Sequence, residues 1–154
     1  NPETVCSSTI LNDRSALINE IMCQGKEKLQ YYIDDYNRRS ATLSKKEQDT
    51  MKDMKIVQEM YARGFEFEPL DIYKAQATKF LIVNGKLMPP LSSIDGMGEK
   101  AAEAVAEASK DGTYLSLDDF RQRTKASKTV IDTMVELGIL ADLPASNQLS
   151  LFDF

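Results

Sequence analysis

Leu91-Ser92-Ser93-Ile94-Asp95-Gly96-Met97-Gly98-Glu99-Lys100-Ala101-Ala102-Glu103-Ala104-Val105 is the stretch whose reading decides the fold. Two glycines flank one apolar residue, and a run of good helix formers follows. Gly96 and Gly98 permit a tight reversal and leave the backbone bare. A helix that opens near Gly98 has its first N–H groups unpaired, and its dipole favours an anion there. Ala102 lets helices approach closely, while Leu91, Ile94, Met97 and Val105 supply a small core. Lys100 adds a positive charge beside the turn. A backbone site of this kind grips phosphates without reading bases.

Leu91, Ile94, Gly96, Met97, Gly98, Ala102 and Val105 match, in order, every fixed position of the helix-hairpin-helix pattern h-x-x-h-x-G-h-G-x-x-x-A-x-x-h. A degenerate second copy follows. Ser116 caps a short helix through Phe120 and Arg123, and Thr124-Lys125-Ala126 makes the turn. Ser127 then caps a helix carrying Val130, Ile131, Met134 and Leu137, which Gly138 closes. The turn glycines are missing from this copy, but Arg121, Arg123, Lys125 and Lys128 cluster around it. The expected duplex-DNA contacts are therefore Gly96, Met97, Gly98 and Lys100 in the first copy. In the second they are Arg121, Arg123, Lys125, Ser127 and Lys128.

Upstream, the periodicity predicts a helix over 12–38 that Gly25 interrupts, capped by Asn12 or Asp13. Ser44 and Glu47 form a capping box that opens a second helix to about Arg63. Its Met51, Met54, Val57 and Tyr61 stripe reads as a core face. Phe65, Phe67 and Pro69 suggest a short strand. Phe80 to Val83, Asn84-Gly85, then Lys86 to Met88 read as a β-hairpin with a type I′ turn, stopped by Pro89-Pro90. The expected fold class is mainly α with a small β-hairpin (α+β). The expected units are a helical segment over 1–90, a tandem helix-hairpin-helix domain over 91–142 and a tail over 143–154.

Composition narrows the function. The 154 residues are 42% hydrophobic and 28% charged, which excludes disordered, collagenous and membrane-spanning classes. There is no histidine, so a His-dependent triad and the usual zinc sites are excluded. Cys6 and Cys23 form neither a CxxC motif nor a disulfide framework, and they predict reduced thiols and a cytoplasmic setting. Residues 1–64 carry ten basic and ten acidic side chains; residues 65–154 carry nine and fourteen. A DNA contact in such a chain is expected to be small and local. Asp34-Asp35 and Asp118-Asp119 are the only adjacent carboxylates, and helical neighbours point about 100° apart. They predict surface groups, not the converging set of a two-metal site.

Near the end lies Gln148-Leu149-Ser150-Leu151-Phe152, which matches the pentapeptide with which bacterial proteins bind the sliding clamp. Exposed apolar residues in a polar tail suggest a partner pocket. Together with Gly64 to Phe80, Pro89 to Gly98, Leu115 to Leu140 and Leu143 to Phe152, this motif resembles the C-terminal blocks of the PolC-type DNA polymerase III alpha subunit. That protein is the C-family replicase of Gram-positive bacteria. The resemblance is close over 64–152 and looser over 12–63. Near Tyr73 the family has Arg-Ser-Asp where this chain has Lys74-Ala75-Gln76.

The resemblance implies that residues 1–90 end the fingers region and that 91–140 hold duplex DNA. It implies that the tail docks on the sliding clamp and that the remaining polymerase domains are further partners. The palm, whose aspartates bind Mg2+, would lie upstream of Asn1. The parent would then be a DNA-directed DNA polymerase, while this stretch is expected to be a fragment with no catalytic residues and no cofactor of its own. Two other classes fit parts of the sequence. One is a helix-hairpin-helix scaffold of a DNA repair or recombination protein, which leaves the tail unexplained. The other is a helical protein-binding adaptor, consistent with the acidic balance.

Overall fold

The computed structural model describes residues 18–146. They form helices α1 (Asn19–Met22), α2 (Lys26–Arg38), α3 (Lys45–Ala62), α4 (Glu99–Ser109), α5 (Leu117–Thr124) and α6 (Lys128–Glu136). Strands β1 (Leu81–Val83) and β2 (Lys86–Met88) lie between α3 and α4. The mainly helical fold with one small antiparallel hairpin agrees with the sequence expectation. Among the described residues no helix is long and apolar enough to cross a membrane.

The first helical region differs in detail. Ile18 is extended and α1 starts at Asn19; the proposed caps Asn12 and Asp13 lie outside the described residues. Gly25 separates α1 from α2. The capping box of α3 is present in both directions: the Glu47 amide donates to Ser44 Oγ at 3.1 Å, and the Ser44 amide to Glu47 Oε1 at 3.1 Å. Arg39 bridges Glu47 and Asp35, both at 3.1 Å, so it ties the end of α2 to the start of α3. Met51, Met54 and Val57 of α3 bury their stripe against Leu29, Ile33 and Tyr36 of α2 and Met22 of α1. Tyr61 stands at the rim of this core, donating its hydroxyl to the Met22 carbonyl at 2.7 Å.

Strand pairing is shorter than Phe65, Phe67 and Pro69 suggested. Phe67 makes a single parallel bridge to Leu87. Pro69 has no N–H with which to continue the ladder. The β-hairpin has the expected two-residue turn: Asn84 and Gly85 both take positive φ, 54° and 76°, as a type I′ turn requires. Its register pairs Leu81 with Met88, Ile82 with Leu87 and Val83 with Lys86.

Two apolar cores result, and they meet at β2. Leu87 joins the core of α1–α3, whereas its neighbour Met88 joins a second core built from Leu70, Ile72, Leu91, Val105, Phe120, Met134 and others. The second core thus begins near Leu70, not at Leu91. Core packing crosses residue 90, since Leu70 to Ala75 pack beneath the helix-hairpin-helix region. It crosses residue 143 as well. Leu143 packs against this core, and the carbonyls of Pro144 and Ala145 accept from the amides of Leu117 and Asp118 at 2.8 and 3.3 Å.

The capping box carries a pH signature. Glu47 is held below the ordinary carboxylate range, first by the hydrogen bond from the Ser44 amide and then by Arg39. A carboxylate with a lowered folded pKa stabilises the fold above its unfolded pKa, and that stability is lost as pH falls through the folded value. Ser44→Ala is expected to cost about 1 kcal/mol. Glu47→Gln is expected to flatten part of the acid limb of the stability curve. Denaturant unfolding from pH 7 down to pH 3 measures both.

Candidate nucleic-acid interface

The first hairpin departs from two full helices around a turn. Pro90 is the N-cap of a single 3-10 turn, Leu91–Ser93, and Ile94 is already extended, so no α-helix precedes Gly96 in this hairpin. Leu91, Ile94, Met97, Ala102 and Val105 are all buried, as their spacing implied. Ser93 is buried too. It accepts from Asn19 Nδ2 at 3.2 Å and donates to the Pro90 carbonyl at 2.6 Å, which fastens the turn to α1.

Gly96 takes φ 85°, a conformation that side-chain-bearing residues rarely adopt. Gly98 differs from expectation. Its φ of −72° and ψ of 174° are ordinary extended backbone, so the turn does not require a glycine there. Gly98 is the N-cap of α4 with no side-chain hydrogen bond to the helix, and a Cβ added to it would meet nothing within 4 Å. The bare cap leaves the first α4 amides open to an approaching group. A depression of about 250 Å³ opens at this turn, lined by Ile18, Ser92, Ser93 and the Ile94–Gly98 backbone.

The second hairpin repeats the geometry with different residues. Lys125 takes φ 58°, the left-handed position that Gly96 holds in the first copy. Two residues later Ser127 is the N-cap of α6, in the place of Gly98, and its hydroxyl accepts from the Val130 amide at 3.2 Å. Ala126 is buried as Met97 is, and Ile131 and Met134 as Ala102 and Val105 are. Thr124 replaces the missing glycine chemistry: its hydroxyl bonds the Phe120 carbonyl at 2.7 Å and receives the Ala126 amide at 3.2 Å. The two turns are neighbours, since the Cβ position of Gly96 lies 3.7 Å from Val130 Cγ2 in the first turn of α6.

The basic residues divide. Lys100, Arg121 and Lys125 are exposed. Lys128 is exposed and pairs with Asp132 at 3.0 Å. Asp95 and Glu99 are also exposed beside the first turn, so the positive charge sits on the second copy. Arg123 has partners within the fold. Its Nη1 donates to the Thr113 carbonyl and to Asp119, and its Nη2 donates to the Ala108 and Gly112 carbonyls, at 2.8–3.4 Å. The guanidinium carbon lies 4.3 Å from the centre of the Tyr114 ring. These groups engage the Arg123 guanidinium within the fold, with about 24% of the side chain left exposed. Tyr114 is buried, stacked on Tyr73 and edge-on to Phe120. Burial raises its phenol above the ordinary value, against smaller opposing effects of Ser109 and Arg123. Sequence reasoning missed Asp119 and Tyr114 as partners; the i, i+4 spacing of Asp119 and Arg123 was the available signal.

The adjacent carboxylates do not converge. Asp34 accepts from Gln30, Asp35 faces Arg38 and Arg39, and Asp119 accepts from the Leu115 amide and Arg123. Among the described residues no group of three or more histidine, cysteine, aspartate or glutamate side chains is placed to hold a metal ion.

The helix-hairpin-helix motif family model matches residues 64–149. The chain belongs to the helix-hairpin-helix motif family. That match begins at Gly64, ahead of the first hairpin, in keeping with the core that starts near Leu70. The chain is similar to the DNA polymerase III PolC-type of Caldanaerobacter subterraneus, 41% identical over 133 residues, covering 86% of this chain and 10% of the relative. The PolC-type polymerase of Clostridium perfringens is 38% identical over 133 residues, covering 86% and 9%. That of Streptococcus pneumoniae is 43% identical over 116 residues, covering 75% and 8%. The chain therefore spans about a tenth of the length of these curated relatives. The resemblance drawn from the sequence alone agrees with these matches.

The helix-hairpin-helix turns separate glycine roles that the pattern treats alike. Gly96→Ala is expected to destabilise by about 1–2 kcal/mol, the cost of a left-handed residue with a Cβ. Gly98→Ser is expected to leave stability within about 0.5 kcal/mol or to raise it, because the extended backbone there accepts a side chain and serine caps a helix at least as well as glycine. Lys125→Gly is expected to be neutral or up to about 1 kcal/mol stabilising, because relief of strain exceeds glycine's entropy cost. Urea unfolding of the three variants decides this, and equal losses at Gly96 and Gly98 would overturn the distinction.

Proposed function

We propose that this chain is the duplex-holding and clamp-docking end of a C-family replicative DNA polymerase. What supports the first half is the repeated turn: Gly96 and Lys125 in one conformation, each two residues ahead of a helix N-cap, the two side by side. In this reading the amides of α4 behind Gly98, with Lys100, receive one phosphate. Lys125, Ser127 and Lys128, with Arg121 on the preceding helix, receive another. The acidic balance of residues 65–154 confines the contact to these turns, and contacts to phosphates alone make it independent of base sequence. The identity with PolC-type polymerases favours a replicase over a repair scaffold or a protein-binding adaptor.

The reading assigns no polymerase chemistry to this stretch alone. Nucleotidyl transfer and its Mg2+ belong to the rest of the parent enzyme, in the cytosol, and the remaining polymerase domains are partners of these residues. Bound to primed template with Mg2+ and dNTPs, the chain is expected to hold the duplex without extending the primer. Log affinity is expected to fall with log salt at a slope of about −2 to −4, for two to four phosphates neutralised. Gly98→Val is expected to weaken binding by closing the bare cap while the fold survives. Fluorescence anisotropy measures this; strong preference for one base sequence, or an affinity unchanged by both Gly98→Val and Lys125→Ala, would sink it.

The tail completes the proposal. Gln148, Leu149, Ser150, Leu151 and Phe152 lie outside the described residues. Their chemistry suits a short extended peptide: Leu149, Leu151 and Phe152 fill an apolar pocket of the sliding clamp, and Gln148 fixes the register. Each apolar side chain contributes about 1.5–3 kcal/mol if fully buried, less the cost of ordering the peptide. A modest clamp contact combined with a hold on the duplex becomes durable through effective concentration. Titration with purified bacterial clamp is expected to show binding that Leu151→Ala with Phe152→Ala abolishes and Ser150→Asp spares. Equal affinity for the wild type and the double variant would refute the assignment.

A further inference from the structure

We infer that Arg123 is a positioning residue, whose guanidinium sets the spacing of the two turns so that both engage one duplex. The inference rests on the duplex-holding reading above and adds a residue that acts without touching DNA. Arg123 stands two residues before Lys125, where the first copy has the buried Ile94 two residues before Gly96. An apolar core position has become a charged fork. That fork reaches out of its own hairpin to the other one: Nη2 takes the Ala108 carbonyl at 2.8 Å, near the C-terminal end of α4, and the Gly112 carbonyl at 3.0 Å. Nη1 takes the Thr113 carbonyl at 3.0 Å and Asp119 of α5 at 3.4 Å.

The leverage follows from helix geometry. Helix α4 has 11 residues and begins at the bare cap of the first turn. At 1.5 Å per residue it is a rod of roughly 16 Å. Tilting its held end by about 10° moves the other end by about 3 Å, a full hydrogen-bond length. The bonds from Arg123 to α4 and the loop after it therefore fix where the first turn sits relative to the second. Lysine cannot reproduce this, because its point charge lacks the planar fork that spans several acceptors.

The test is the salt dependence of duplex binding by the full 154-residue chain, with wild type, Arg123→Lys, Arg123→Gln and Asp119→Asn. If Arg123 positions the turns, the Lys and Gln variants lose affinity alike, by roughly tenfold at 0.1 M salt, and their slopes fall to about half the wild-type value. If Arg123 contacts a phosphate itself, Arg123→Lys keeps both affinity and slope, and the inference fails. If Arg123 serves stability alone, the melting midpoint falls but the slope of the folded protein is unchanged, which also overturns it. Asp119→Asn provides a check that does not depend on Arg123 variants folding. It removes a negative charge, so electrostatics alone predicts tighter binding, whereas loss of the Asp119 contact predicts weaker binding. Absence of duplex binding by the wild type would count against the duplex-holding reading; wild-type binding with unaltered variant slopes would count against Arg123 alone.

Discussion

Alternation along β2 is the constraint on which the two halves of the molecule depend. Successive residues of a strand point to opposite faces. Leu87 therefore enters the core of α1–α3 while Met88 enters the core beneath the hairpins. The Asn84-Gly85 turn fixes the register that makes this division, because a slip of one residue would exchange the two faces. Pro89-Pro90 then carries the chain directly into the first hairpin, and the buried Asn19–Ser93 hydrogen bond ties that hairpin back to α1. The helical segment and the hairpin region are thus two cores sharing one strand.

Within the second core, a repeated backbone is built from unlike residues. The left-handed residue is glycine in one copy and lysine in the other, and the N-cap is bare in one and a self-bonded serine in the other. Lys125 accepts conformational strain and places a charge at the tip of its turn. Gly96 avoids the strain and contributes only backbone. The first copy thus offers amides flanked by Asp95 and Glu99, and the second offers charge. Such a division places the positive charge on one hairpin of a chain that is acidic overall. In the same region Phe120 and Tyr114, both buried, and the exposed Tyr73 make successive ring contacts. Full burial of Phe120 alone contributes about 1.5–3 kcal/mol.

Much of this was legible in the chain itself, wherever the interaction is local. The Ser44–Glu47 capping box, the Asn84-Gly85 turn, the Ser116 and Ser127 caps and the buried Leu91, Ile94, Met97, Ala102 and Val105 each follow from residues a few positions apart. So does the family resemblance, since the hairpin pattern and its neighbouring blocks are linear features.

What only the tertiary structure decided concerns groups that meet across long sequence separations. The pattern assigned Gly98 and Gly96 the same reason, but the backbone requires a glycine at Gly96 alone. The basic cluster made Arg123 a candidate phosphate contact without revealing its internal partners; the carbonyls of Ala108, Gly112 and Thr113 converge on it once α4 and α5 pack together. The linear pattern did not show that Leu70 to Ala75 pack beneath the hairpins. Sequence determines propensity, capping and periodicity because these act within a turn or two of the chain. Which donor a carbonyl finds, and which core a residue joins, is set by packing among distant elements, and that is settled only when the whole chain has folded.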